Sequence, residues 1–190
     1  MARMPPCFKM CHPKTRCIID ATEIETEVPS TQHRRIMFWS NYKGRHTVKI
    51  LVAIAPSGEI TFISKAFGGR ITDTELTVQS GLLSLLEPGD EILADKGFPH
   101  VESKIIEAGG VLVMPPFFRA NRQFTPEQND EGYKIAASRI HVERAIARMK
   151  YFQVFHFVHT PMLKHIDKIL VLISFVTNLR NDLIKVHEDD

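Results

Sequence analysis

Cysteine is scarce in this chain and confined to one end: Cys7, Cys11 and Cys17 are the only three in 190 residues. So small and odd a number makes no disulfide framework, which points to a reducing compartment. Together with His12 they match none of the common zinc-finger spacings, and no second ligand pair follows, so ordinary thiols are expected. Long apolar runs are missing too. The longest, Ile169 to Val176, is broken by Ser174 and falls far short of the ~20 residues that span a bilayer. No signal pattern precedes the first strand, so an intracellular, soluble protein is expected. Internal repeats and low-complexity segments are absent as well. Charge of one sign is weak overall: a net charge of +2 and a pI near 8.4 do not by themselves demand a nucleic-acid partner. Acid is missing locally, however. From Val28 to Gly58 there is no Asp or Glu, while Arg34, Arg35, Lys43, Arg45 and Lys49 fall in that interval.

What is present is enough apolar residue for a core. A hydrophobic content of 44% over this length argues against disorder and for one compact domain, with two complete domains a tight fit. Residues 1–15, rich in Pro, Cys and Met, are read as an irregular N-terminal remnant, residues 16–185 as the folded domain and residues 186–190 as a tail. The first strand is expected over Arg16 to Ala21, with Glu23, Glu25 and Glu27 alternating beyond it and a long loop after Pro29-Ser30. His46 to Ala55 reads as a strand, Pro56-Ser57-Gly58 as a turn, and Glu59 to Phe67 as the returning arm of a hairpin ended by Gly68-Gly69. Thr72 caps a helix with early acids, expected to run to about Leu86, where Pro88-Gly89 stops it.

A strand over Glu91 to Asp95 comes next, then a short helix over Val101 to Ala108, a buried strand over Val111 to Met114 and a connecting loop over 115–128. Two helices finish the pattern, from about Gln128 to Phe152 and from about Met162 to Lys185, the second with apolar residues at Ile166, Ile169, Leu170, Ile173, Val176 and Leu179. A hairpin followed by strand-helix-strand crossovers implies an α/β fold: a mixed sheet, antiparallel hairpin plus parallel strands, with helices on both faces.

Three acids occupy settings that one chemistry would unite. Asp20 closes the apolar run Cys17-Ile18-Ile19, Asp95 closes Ile92-Leu93-Ala94, and Glu143 lies mid-helix. Singly, each has an ordinary explanation: an Asp at a strand end forms turns, and Glu143 has Arg139 at i−4 as a surface partner.

The phrases around them change that balance. Ile18-Ile19-Asp20-Ala21-Thr22-Glu23-Ile24, Tyr42-Lys43-Gly44, Gly68-Gly69-Arg70-Ile71-Thr72-Asp73, Ala94-Asp95-Lys96-Gly97-Phe98 and Arg139-Ile140-His141-Val142-Glu143-Arg144 follow in order. Over roughly residues 16–180 the chain resembles the catalytic domain of Harbinger-type DDE transposases, the DDE superfamily endonucleases. The resemblance implies an RNase H-like fold, nucleus as the compartment, DNA as the partner, and Asp20, Asp95 and Glu143 as catalytic, metal-binding carboxylates for two Mg²⁺ or Mn²⁺ ions. Hard oxygen ligands suit those ions, and a pair ~3.5–4 Å apart clamps an in-line displacement at phosphorus. Asp20 is the expected bridging ligand.

Asp73 belongs to a family phrase, yet equally fits a helix first turn. Glu23, three positions past Asp20, falls on the opposite side of an extended chain and suits structural pairing. His141 reads as a polar surface residue, its two-residue offset pointing it away from Glu143. For DNA, the candidates are Arg34, Arg35, Lys43 and Arg45, interleaved with Phe38, Trp39 and Tyr42, and Arg144 with Arg148 on the polar side of the long helix; a solvated face and aromatics packed under a loop are the ordinary readings. No helix-turn-helix or finger is visible, so target choice is expected from a module before residue 1 or from a separate DNA-targeting protein. Self-association is compatible with this reading, and no membrane is involved. The competing reading is a domesticated transposase-derived module that binds DNA or protein without cleaving. A third, an RNase H-like nuclease acting on RNA, is weakened by the five phrases.

Overall fold

Alternation in two long strands builds the centre of the molecule. The computed structural model describes Phe8 and residues 13–95, 97–114 and 140–181. Strand β1 (Thr15–Thr26) lies antiparallel to β3 (Arg45–Ile54), pairing Ile18 with Ile54, Asp20 with Val52 and Glu25 with Thr47. Successive strand residues face opposite ways. The even-numbered Ile18, Ile24, Val48, Ile50, Val52 and Ile54 enter one apolar cluster, and the odd-numbered Cys17, Ile19, Leu51 and Ala53 enter another. A sheet buried on both faces needs near-continuous apolar strands, which is what these are.

The sheet runs β2-β3-β1-β6-β7, where β2 is Trp39–Ser40, β6 Glu91–Leu93 and β7 Val111–Val113. β4 (Ile60–Ile63) and β5 (Phe67–Gly68) pair antiparallel with β3, while β6 lies parallel to β1 and to β7. β8 (Phe157–Val158) adds a parallel pair to β1 at Glu25 and Thr26.

Each face has its own helical cover. Over the odd face lie Leu76 of α2 (Asp73–Gln79), Leu82 of a 3-10 turn (Leu82–Leu85), Val101 of a second (Pro99–Val101) and Ile105 of α3 (Glu102–Glu107). Over the even face lie Val142, Ala145, Ile146 and Met149 of α4 (helical over 140–149), with Ile166, Leu170 and Ile173 of α6 (Ile166–Asn178). The expected α/β arrangement, a mixed sheet with helices on both faces, is the one found.

Several boundaries differ from the sequence reading. β1 continues through Glu23 and Glu25, because cross-strand pairing with Lys49 and Thr47 holds the alternating segment extended. The long loop after Pro29-Ser30 contains α1 (Gln32–Phe38). The helix begun at Thr72 stops at Gln79, since Gly81 takes a φ of 88° and the chain resumes as a 3-10 turn. α5 (Thr160–Leu163) and α6 replace the single last helix, parted at Lys164 and His165. The loop over 115–128, helical positions 128–139 and residues 182–185 lie outside the described residues.

Candidate functional site

Parallel pairing sets two of the three acids side by side in the sheet. The β1/β6 ladder ends with Ile18 opposite Leu93. Two positions further on, Asp20 stands in the middle of β1, not at the strand end that its place after Cys17-Ile18-Ile19 suggested, and Asp95 stands just past the end of β6 at the same level. Asp20 is half-buried, and its Oδ1 accepts the Ala21 N–H at 2.8 Å, which orients the carboxylate. Asp95 is half-buried as well, and its carbonyl accepts the Phe98 N–H at 3.0 Å, turning the chain sharply after β6.

Glu143 sits on the exposed side of α4, whose buried side packs in the same apolar cluster as Ile18 and Leu93. Each of the three acids engages an interaction of its own. They do not close into one group: among the described residues no three Asp, Glu, His or Cys side chains stand close enough to share a metal ion. Carboxylates repel one another, and exposed Glu143 has room to stand apart. The donor chemistry suits a hard divalent cation, and the sheet supplies two adjacent carboxylate positions.

Glu23 takes the structural role expected of it. Its Oε2 accepts the Thr47 hydroxyl at 2.9 Å, and its Oε1 lies 3.9 Å from Lys49 Nζ, with Glu23 6% and Lys49 14% exposed. The same ammonium meets Asp73 Oδ1 at 2.7 Å, as an ion pair out of hydrogen-bond alignment, since that buried oxygen has no hydrogen-bond partner. Asp73 also begins α2, where Thr72 and Glu75 form a capping box. Lys49 therefore ties α2 to the two central strands, a role its place in the acid-free interval did not reveal; its register opposite Glu23 is the signal.

The two glycines of Gly68-Gly69 serve close approach. A methyl on Gly68 would collide with the Met37 carbonyl, and one on Gly69 with the Thr47 hydroxyl. That approach lets Arg70 N–H donate to Met37 O at 3.1 Å and Gly69 N–H to Thr47 O at 2.9 Å.

His141 is not the surface residue expected. It is half-buried beside Phe8, ring centroids 6.3 Å apart, because the turn that buries Val142 draws it inward. Burial, and then the Arg144 charge, lower its pKa.

The basic candidates divide. Arg35 Nε donates to Pro29 O at 2.8 Å, Arg45 pairs with Glu25 at 2.7 Å, and Arg148 donates to Asn181 O at 2.6 Å, so all three are committed within the molecule. Arg34, Lys43 and Arg144 are exposed. Phe38 packs against the core, as the ordinary reading had it, whereas Trp39, edge-on to His46 at 5.3 Å, and Tyr42 are exposed.

The sheet, an antiparallel hairpin extended by parallel strands and covered on both faces, places the chain in the RNase H-like class. Residues 19–178 match the DDE superfamily endonuclease family, and the chain belongs to it. Comparisons with curated proteins and with solved structures returned no match.

Proposed function

We propose that this chain is a divalent-metal-dependent DNA endonuclease of transposase type, acting in the nucleus, that cleaves phosphodiester bonds and, with a DNA 3′-hydroxyl as nucleophile, joins strands. One observation carries the reading: inside the family match, the parallel β1/β6 register puts Asp20, in the middle of β1, level with Asp95, just past the end of the adjacent β6. Asp20 and Asp95 would hold the cations, with Glu143 contributing from α4. Bound Mg²⁺ or Mn²⁺ supplies charge stabilisation at phosphorus and activation of the attacking oxygen. The chain itself orients Asp20 through the Ala21 N–H and fixes the strand spacing through the sheet. No covalent enzyme intermediate is required.

A second reading, a binding module without cleavage, is favoured by one observation: the three carboxylates do not form a shared group among the described residues. Two measurements separate the readings. Nicking of plasmid DNA in Mg²⁺ or Mn²⁺ by the wild type, lost in Asp20→Asn and in Asp95→Asn, supports the nuclease; nicking that persists in both variants sinks the site. Calorimetric titration with Mn²⁺ then addresses the module directly, because a binding-only protein shows no uptake that depends on Asp20 and Asp95.

A further inference from the structure

A cleft of about 310 Å³ opens at the far end of β1, lined by Glu23, Glu25, Lys43, Arg45, Thr47, Lys150, Phe155 and His156. Two segments remote in sequence meet there. The β2/β3 turn brings Lys43, and the residues that follow α4 bring Lys150 and His156.

The acids in the cleft are already compensated. Glu25 is held by Arg45 at 2.7 Å, and Glu23 by the Thr47 hydroxyl at 2.9 Å and by Lys49. Lys43, Lys150 and His156, all exposed, make no ion pair among the described residues. The Lys43 and Lys150 ammonium groups are therefore available to an outside anion. The one ring contact is that of Lys43 Nζ, 5.5 Å from the centroid of exposed Tyr42.

Position narrows the choice of anion. Lys150 immediately follows α4, the helix that carries Glu143, so one element links the cleft to the third acid. A duplex strand presents a continuous run of phosphates. A pair of ammonium groups with no planar fork suits phosphate as a point charge and reads no base.

We propose that this cleft seats a backbone phosphate of duplex DNA between Lys43 and Lys150, anchoring the strand beyond the acidic site. The inference rests on the reading of DNA as substrate, but not on cleavage.

The test is fluorescence anisotropy of a labelled duplex against the full chain in EDTA, for wild type, Lys43→Ala/Lys150→Ala, and Lys104→Ala as control, with thermal melts to confirm folding. Lys104 is on α3 and pairs with Glu107 at 2.8 Å. The double variant is expected to bind more weakly and to lower the slope of log K against log salt by about 0.9 for each phosphate left unneutralised, with Lys104→Ala like wild type. Unchanged affinity and slope in a folded double variant overturns the proposal, as does displacement of the duplex by inorganic phosphate at equal phosphate concentration. Asp20→Asn separates the two readings: binding that depends on Lys43 and Lys150 but no nicking under any condition leaves the cleft standing and the nuclease fallen, whereas Asp20-dependent nicking with normal binding by the double variant does the reverse.

Discussion

Lys49 and Asp73 meet at 2.7 Å on the odd face of the sheet, joining the first turn of α2 to the middle of β3. Glu23 approaches the same ammonium from β1. Removing one member of a buried charge group leaves the others uncompensated, which costs about 3–5 kcal/mol. Lys49→Met is therefore expected to lower stability by about that much, read as a shift in the urea midpoint. Asp73→Asn should cost less, since it leaves Lys49 with Glu23. A loss under about 1 kcal/mol for Lys49→Met would show the cluster to be solvated.

Gly69→Ala tests the close approach of the Gly68-Gly69 turn. The added methyl would strike the Thr47 hydroxyl that Glu23 holds. Overpacking of this kind costs about 1–3 kcal/mol. Combined with Thr47→Ala, which removes the obstructing oxygen, the Gly69→Ala change should cost less than it does alone. Strict additivity in that double-mutant cycle would place the strain elsewhere.

Glu27 governs an acid limb of stability. Hydrogen bonds from the Thr160 side chain, from His159 and from the Thr160 N–H lower its pKa from 4.5 to about 2. The folded value lies below the unfolded one, so this contribution is complete above pH 4.5 and is lost as pH falls towards 2. Thermal melts of Glu27→Gln against wild type should diverge above that window and converge below it. Parallel curves at every pH would refute the linkage.

Cys17 should resist alkylation. It is 3% exposed, and burial above all pushes its thiol from 9.0 up to about 12, so almost no thiolate exists at pH 8. Iodoacetamide followed by peptide mapping is expected to find Cys17 unmodified in native protein and modified in denaturant. Rapid native labelling would mean that the N-terminal part of β1 opens.

The strands with strong apolar runs were legible in the sequence, because the double-sided sheet requires those runs at β3 and β6; β7 was legible as a strand but is not the buried one expected, since it ends the strand order with Val111 exposed. So was the Thr72 cap, whose partner Glu75 lies three residues on. α1 left no apolar periodicity to read, since it buries none of its residues. β8 exists only through its pairing with Glu25 and Thr26, a long-range relation that no local pattern contains. At the site, residue types pointed to Asp20, Asp95 and Glu143, but the adjacency of the first two comes from the β1/β6 register, and the stance of Glu143 from which side of α4 is drawn into the core. Arg35, Arg45 and Arg148 read as available cations because their carbonyl and carboxylate partners lie on other elements or at the loop before α1.

The parallel ladder of β1 and β6 also fixes the level of the two aspartates within the sheet, whatever the exposed turns between them do. β3, which pairs with β1 at Asp20, belongs to the frame that holds them, whereas the exposed Glu87-Pro88-Gly89 turn lies outside it. That turn is thus a natural place for grafted sequence, since an inserted segment there has little lever with which to move Asp20 relative to Asp95.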